Sequence, residues 1–193
     1  MFTGIIKFQG KISKIEQQDS IYLTIECPEI MDQIQVDSSL AHDGVCLTVY
    51  KIISKTEYQV QVMPETINKT NLKTKQVGDQ VNLETSLKFS DLVDGHLVQG
   101  HVDTASPVDF LTNQGEDWTL QVRLPKDLQK FVTYKGSIAI NGVSLTVSKI
   151  QADYFQVSLI NHTLENTNLS ELKKDDLVNL EIDLVARYLQ KLI

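Results

Sequence analysis

Residues 36–50, VDSSLAHDGVCLTVY, return 98 positions later as YKGSIAINGVSLTVS at 134–148. The two stretches share Ser39/Ser137, Ala41/Ala139, Gly44/Gly142, Val45/Val143, Leu47/Leu145, Thr48/Thr146 and Val49/Val147, seven positions of fifteen. At an offset of 97, Thr66 pairs with Thr163, Asn71-Leu72 with Asn168-Leu169, and VNLE at 81–84 with VNLE at 178–181. Near the start, GIIKFQGKI loosely echoes GHVDTASPV from Gly100. A fixed internal period means one structural unit used twice. Dividing 193 residues between two copies leaves each enough chain for its own modest core. The expected division is 1–96, 97–183 and a tail at 184–193, with the seam in KFSDLVDGHL at 88–97. No Pro- or Ser-rich linker marks that seam, so the copies are expected to pack closely.

Within each copy the pattern is β. Ile21–Ile25 and Tyr58–Val62 alternate with period two, and so do Trp118–Val122 and Tyr154–Leu159. Asp43-Gly44 and Asn141-Gly142 are turn dipeptides flanked by apolar residues, the strongest short-range hairpin signal. Val77-Gly78-Asp79 and Lys174-Asp175-Asp176 precede the two VNLE strands. Closely spaced strands with turns between them predict small closed barrels or sandwiches. Short helical turns are expected near Glu29–Gln33 and Lys126–Phe131. The tail is different: Leu184, Val185, Tyr188, Leu189, Leu192 and Ile193 form a stripe at helical spacing. Such a helix either docks on its own barrel or packs against copies of itself.

Charge narrows the function. Lys and Arg number 18 against 25 Asp and Glu, a net of −7, and no basic run appears. That speaks against a nucleic-acid module, which needs clustered cations and exposed aromatics. Two cysteines, Cys27 and Cys46, make neither a disulfide framework nor a zinc site and suit a reducing compartment. No apolar stretch reaches the roughly 18–20 residues of a membrane span, and the N-terminus has no signal-peptide pattern. The expected location is cytoplasmic.

MFTGI at the start, DGVCLTV at 43–49, GHLVQGHVD at 95–103 and NGVSLTV at 141–147 together resemble riboflavin synthase of the α-chain type. The likeness spans the whole chain, duplication and terminal helix included. It implies an all-β fold of two tandem six-stranded antiparallel Greek-key barrels plus a short C-terminal helix. It further implies a homotrimer whose active sites lie between the N-terminal barrel of one subunit and the C-terminal barrel of another. Two molecules of 6,7-dimethyl-8-ribityllumazine would dismutate there, without metal or redox cofactor, to riboflavin and a ribitylamino-pyrimidinedione. Association with lumazine synthase is left open. The competing class is a non-catalytic binder like the lumazine and flavin antenna proteins, whose second site is degraded; here both motifs look whole. A doubled fold suits a reaction between two copies of one molecule, where positioning supplies much of the rate.

The resemblance assigns roles residue by residue. Cys46 sits in the first GVxLTV strand. Alone it reads as a small buried hydrophobe; the family places it in the pocket, as nucleophile, water-orienting group or hydrogen-bond donor. Ser144 and Thr146 match Cys46 and Thr48, and alternation points each pair to one side of its strand, expected to be the barrel mouth. Ser39 aligns with a family active-site serine. His101 suits proton transfer at the acidic C7 methyl of a lumazine, whereas His96 reads as structural, and a metal at this histidine pair lacks a third ligand. Asp183 is either a site residue or a helix N-cap. The segments Gln61, Val62, Met63, Pro64, Glu65, Thr66 and Ser158, Leu159, Ile160, Asn161, His162, Thr163 are equivalent edges expected to bind ring and ribityl chain. Leu47, Leu145, Gly100, Val102 and Lys135 complete the two walls. Phe2, Thr3, Gly4, Ile5 and Ile6 are expected to tuck against ligand in the other barrel. Asn141, Asp37 and Gln61 depart from residues common in relatives.

Overall fold

The computed structural model describes residues 1–17, 20–114 and 117–192. Among these residues, twelve strands form two closed antiparallel barrels. The first holds β1 (Phe8–Gln17), β2 (Ile21–Glu26), β3 (Ser39–His42), β4 (Val45–Ile52), β5 (Glu57–Val62) and β6 (Gln80–Thr85) in the order β1-β2-β5-β4-β3-β6. The second holds β7 (Thr104–Gln114), β8 (Asp117–Arg123), β9 (Ser137–Ile140), β10 (Val143–Ile150), β11 (Tyr154–Leu159) and β12 (Leu177–Ile182), and repeats that order one copy later. Closure leaves no free sheet edge. Each interior is filled by alternate residues: Ile12, Leu23, Val49, Val60 and Leu83 in one barrel, Val108, Leu120, Val147, Val157 and Leu180 in the other.

The expected hairpins are present. Asp43-Gly44 has φ of 46° and 78°, Asn141-Gly142 45° and 79°. Both central residues are left-handed, as a two-residue type I′ turn requires, and the flanking pairs are His42↔Val45 and Ile140↔Val143. The helical turns fall at Pro28–Gln33 and Lys126–Leu128. Two helices were not expected: α1 (Pro64–Lys69) and α2 (Asn161–Asn166) begin right after β5 and β11. The segments read as strand edges therefore turn into helix, with Pro64 at the first helical position, where its missing N–H costs nothing.

The barrels meet through the two hairpin turns. A Cβ on Gly44 would lie 2.7 Å from the Gly142 nitrogen, and one on Gly142 2.7 Å from the Gly44 nitrogen. Around this contact lies a buried polar cluster of Asp43, Asn71, Asn82, Asn141, Asn168 and Asn179. Asn71 and Asn168 donate from Nδ2 to Asp43 at 2.9 and 2.7 Å, and the Asn82 backbone N–H donates to it at 2.8 Å. Asn179 N–H donates to Asn141 at 2.8 Å, the matching bond of the other copy. Asp43 also pairs with Lys75 at 3.0 Å, both side chains largely out of water. The counterparts of Asp43 and Lys75 are Asn141 and Leu172, so the charge pair of one copy is a neutral pair in the other.

A second polar pair distinguishes the cores. The His42 ring Nε2 lies 2.9 Å from the Tyr58 hydroxyl, where the second barrel has Ile140 and Phe155. Burial pushes the His42 imidazole from 6.5 down to about 4. The folded protein then holds a neutral ring, while the unfolded chain takes up a proton below pH 6.5. Stability present above pH 6.5 is lost as pH falls through 4, by about 3 kcal/mol from this group. Urea denaturation from pH 7 to 4 should show that loss in the parent protein. The pair His42→Ile with Tyr58→Phe, which installs the second barrel's residues, should reduce it.

Candidate functional site

Along β4 the pattern alternates: Val45, Leu47 and Val49 are buried, while Cys46 is half-buried and Thr48 and Tyr50 exposed. β10 repeats it with Val143, Leu145 and Val147 inside and Ser144 and Thr146 outside. Each expected pair does share a face, but that face looks out through the barrel wall rather than into its mouth, because the interior is already packed with the Leu and Val residues between them. Ser39 lies across from Thr48 and Ala41 across from Cys46; Ser137 and Ala139 hold the same places opposite Thr146 and Ser144.

What covers these outer faces is an exchange of arms. Residues 98–102 precede the second barrel yet dock on the first, where Cys46 N–H donates to the Gly100 carbonyl at 2.9 Å and Val102 packs on the first core. Residues 2–6 precede the first barrel yet dock on the second, where Ser144 N–H donates to the Gly4 carbonyl at 2.8 Å and Ile6 packs on that core. The arms are zipped together by Phe2 and Val98, which exchange backbone bonds of 2.7 and 3.0 Å. Phe2 is fully buried between the barrels with Ala41, Ala139 and Val98.

Two buried carboxylates pin the arms. Glu84 accepts from Thr3 N–H and Thr3 Oγ1 at 2.7 Å each and from Gly4 N–H at 3.0 Å. Glu181 accepts from Gln99 and Gly100 N–H at 2.6 and 2.9 Å. Burial pushes both carboxyls up from their ordinary value, against the pull of these backbone donors. Both glutamates close the VNLE repeats, but their partners lie some eighty residues away, so no local pattern announces them. Close approach requires glycine: Gly4 and Gly100 have φ of +76° and +81°, and a Cβ on Gly100 would lie 2.5 Å from the Cys46 Cβ.

Cavities flank Cys46 on both sides. One of about 180 Å³ is lined by Cys46, Glu65, Thr66, Lys69, Gly100, His101 and Val102. The other, about 550 Å³, is lined by Asp37, Cys46, Leu47, Thr48, Tyr50, Gln61, Met63 and Thr66. Asp37 stands at φ +70° and its counterpart Lys135 at +65°, the conformation a glycine takes freely. Burial pushes the Cys46 thiol up, with a nearby Ser39 contact opposing it. At neutral pH the group is therefore a thiol, not a thiolate.

The second copy differs at this point. The His96 ring Nδ1 lies 2.7 Å from Ser144 Oγ, and its buried Nε2 has no partner among the described residues. Burial pushes the imidazole down, opposed by the Asp183 carboxylate. His96, read as structural, thus touches a site residue; the signal was its place beside the arm in GHLVQGH. Asp183 caps α3 (Leu184–Leu189), accepting from Val185 N–H at 2.8 Å.

Other expected residues are placed differently. Val62 and Leu159 are fully buried in the cores and Leu145 nearly so, leaving little but backbone for a ligand. Gln61 donates to Ser20 at 2.9 Å, and Glu65 pairs with Lys69 at 2.8 Å in solvent. Ser158, Ile160, Asn161 and His162 are exposed, and Thr163 and Pro64 stand on α2 and α1. Lys135 is exposed with its ammonium 5.3 Å from the Tyr134 ring. Ile5 is exposed on its arm. The tail helix is held by the Arg187–Asp103 ion pair at 2.9 Å, yet Val185, Tyr188, Leu189 and Leu192 are exposed. These four residues of the apolar stripe do not dock on their own barrel; Leu184 is half-buried, and Ile193 lies outside the described residues. Among the described residues no cluster of metal-ligating side chains forms, and no helix is long and apolar enough to cross a membrane.

The chain is similar to known proteins in sequence and in fold. The lumazine binding domain family matches residues 3–86 and again 99–183. The riboflavin synthase of Brucella abortus (strain 2308) is 39% identical over 197 residues, covering all of this chain and 98% of the relative. That of Bacillus subtilis (strain 168) is 34% identical, covering all of this chain and 90% of the relative. Among solved structures, LumP complexed with riboflavin superposes with a TM-score of 0.87 at 29% identity, over 94% of this chain and 99% of that one. LumP complexed with 6,7-dimethyl-8-(1'-D-ribityl) lumazine gives 0.85 at 27%, with the same coverage. With the domain matched twice and full-length relatives above 30% identity, the chain belongs to the riboflavin synthase family of enzymes.

Proposed function

We propose that the protein converts two molecules of 6,7-dimethyl-8-ribityllumazine into one riboflavin and one 5-amino-6-(D-ribitylamino)uracil. A four-carbon unit leaves one lumazine and joins the other, so atoms and electrons balance between two identical molecules without a co-reactant. The observation that carries this reading is the pair of equivalent outer faces, Cys46/Thr48 and Ser144/Thr146, each closed by an arm from the other half. One lumazine sits on each face, with the Gly100–Val102 and Gly4–Ile6 arms against the rings. The hydroxyls of Ser39, Thr48, Thr66, Thr146 and Thr163 serve the ribityl chain, whose buried hydroxyls need partners. His101 beside Cys46 is suited to moving a proton at the C7 methyl.

The enzyme acts as a homotrimer in the cytoplasm, with the exposed stripe of Val185, Tyr188 and Leu189 packed against copies of itself. That brings the first barrel of one subunit to the second barrel of its neighbour. Association with lumazine synthase would supply substrate directly. The two domains and the tail divide as 1–96, 97–183 and 184–193.

Incubation with 6,7-dimethyl-8-ribityllumazine should yield riboflavin fluorescence. The likeness to LumP favours one second reading, a protein that holds the lumazine or flavin without converting it. Tight binding with no riboflavin formed would establish that instead. Because the thiol is protonated, Cys46 serves as a hydrogen-bond donor, as Ser144 does at the twin position. Cys46→Ser should keep most of the turnover, and Cys46→Ala should lose about 1 kcal/mol, roughly fivefold. Abolition of turnover by Cys46→Ser would instead mark the sulfur as a nucleophile.

A further inference from the structure

One short segment delivers an imidazole toward each barrel. His101, on the arm over the first barrel, lines a cavity with Cys46. Its counterpart on the other arm is Ile5, which has no acid–base chemistry. The second barrel receives its imidazole from His96 instead, five residues earlier and bonded to Ser144 at 2.7 Å. His96 is held by its own backbone, since its N–H donates to the Thr3 carbonyl at 3.1 Å. Gly95 lets the segment approach: a Cβ there would lie 2.8 Å from the Ser144 Cβ and against the Thr3 carbonyl.

From this geometry we infer that His96 is a positioning residue for the second pocket, aligning the Ser144 hydroxyl and taking up its proton. The inference rests on the dismutation reading given above. With Ser144 O–H donating to Nδ1, the neutral ring must carry its proton on Nε2. That N–H is the buried atom without a partner. Asp183 is the carboxylate that acts on this ring, and its Oδ1 is already engaged by Val185 N–H. The step conserves protons: the C7 methyl of a bound lumazine gives one to Ser144 Oγ as the Ser144 proton passes to His96 Nδ1. The products are the lumazine carbanion and an imidazolium, and the return is the reverse. The same pair at Cys46 is absent, because the thiol there has no imidazole bonded to it among the described residues.

His96→Asn tests this, since its amide oxygen can still accept from Ser144 but takes no proton. The expected result is a kcat lower by about 10²-fold or more with the KM for 6,7-dimethyl-8-ribityllumazine changed less than about threefold. Ser144→Ala should fall as far, and the double variant no further, as expected of two groups that act as one unit. A wild-type kcat in His96→Asn, or additive losses in the double variant, would overturn the inference while leaving the dismutation intact. Failure of the parent protein to form riboflavin is a separate outcome. In that case proton NMR in heavy water still decides, by whether the protein speeds deuterium uptake at the C7 methyl and whether His96→Asn removes that gain. No gain in the parent, or an equal gain in the variant, overturns it. Circular dichroism of each variant separates these losses from misfolding.

Discussion

Lys75→Met lowers the stability of the protein by about 3–5 kcal/mol, the cost of leaving one partner of a buried ion pair without the other. Asp43 is fully enclosed, and its carboxylate is bonded by Asn71, Asn82 and Asn168 besides the lysine. Those neutral donors do not cancel its charge. The second copy shows the alternative, with Asn141 and Leu172 in the equivalent places. There Asn141 Nδ2 itself donates to Asn168, at 3.4 Å, so the direction of that bond is reversed. The double change Asp43→Asn with Lys75→Leu copies that solution and should restore most of the lost stability. Urea midpoints of the single and double variants measure both effects. An unchanged midpoint for Lys75→Met would show that the pair contributes nothing to holding the barrels together.

Gly100→Ala lowers kcat/KM for riboflavin formation by about 10²-fold, since a displacement of about 1 Å at a positioned site costs that much. The new Cβ meets the Cys46 Cβ at 2.5 Å and the Cys46 nitrogen at 2.9 Å, and a φ of +81° strains the alanine as well. The arm must lift or the β4 wall must bend, and either displaces His101. Gly78→Ala is the control: its φ of +102° is equally unfavourable, but nothing lies within 4 Å of its Cβ. It should cost stability and leave turnover alone. Equal kinetics for Gly100→Ala and the parent would mean the arm is not a wall of the pocket.

Much of the scaffold is written locally. The DG and NG dipeptides specify type I′ turns by demanding positive φ, and the alternating runs specify barrel strands. The repeat then fixes two barrels before any contact is known. What is not local is not legible. The Glu84–Thr3 bond joins residues 81 apart, and nothing in the VNLE motif says that its glutamate reaches the arm that covers the other barrel. Alternation gives Cys46 and Ser144 one of two faces without saying which is inside, and the buried Val and Leu neighbours place them outside. Helices α1 and α2 span six residues each, too short for a 3.6-residue period to register, though Pro64 was a usable start signal. The place of His96 beside the arm in GHLVQGH is its one local signal, and its approach to Ser144 is what reveals a role.

The crossed arms constrain how such proteins can be recombined. A hybrid of two relatives joined near residue 90 would inherit each β-cylinder whole, yet both proposed ligand chambers would be of mixed parentage. Each would draw its wall from one ancestor and its closing flap from the other. Substitutions that reshape a chamber must therefore be matched across the junction, and the halves of one gene are bound to change in step.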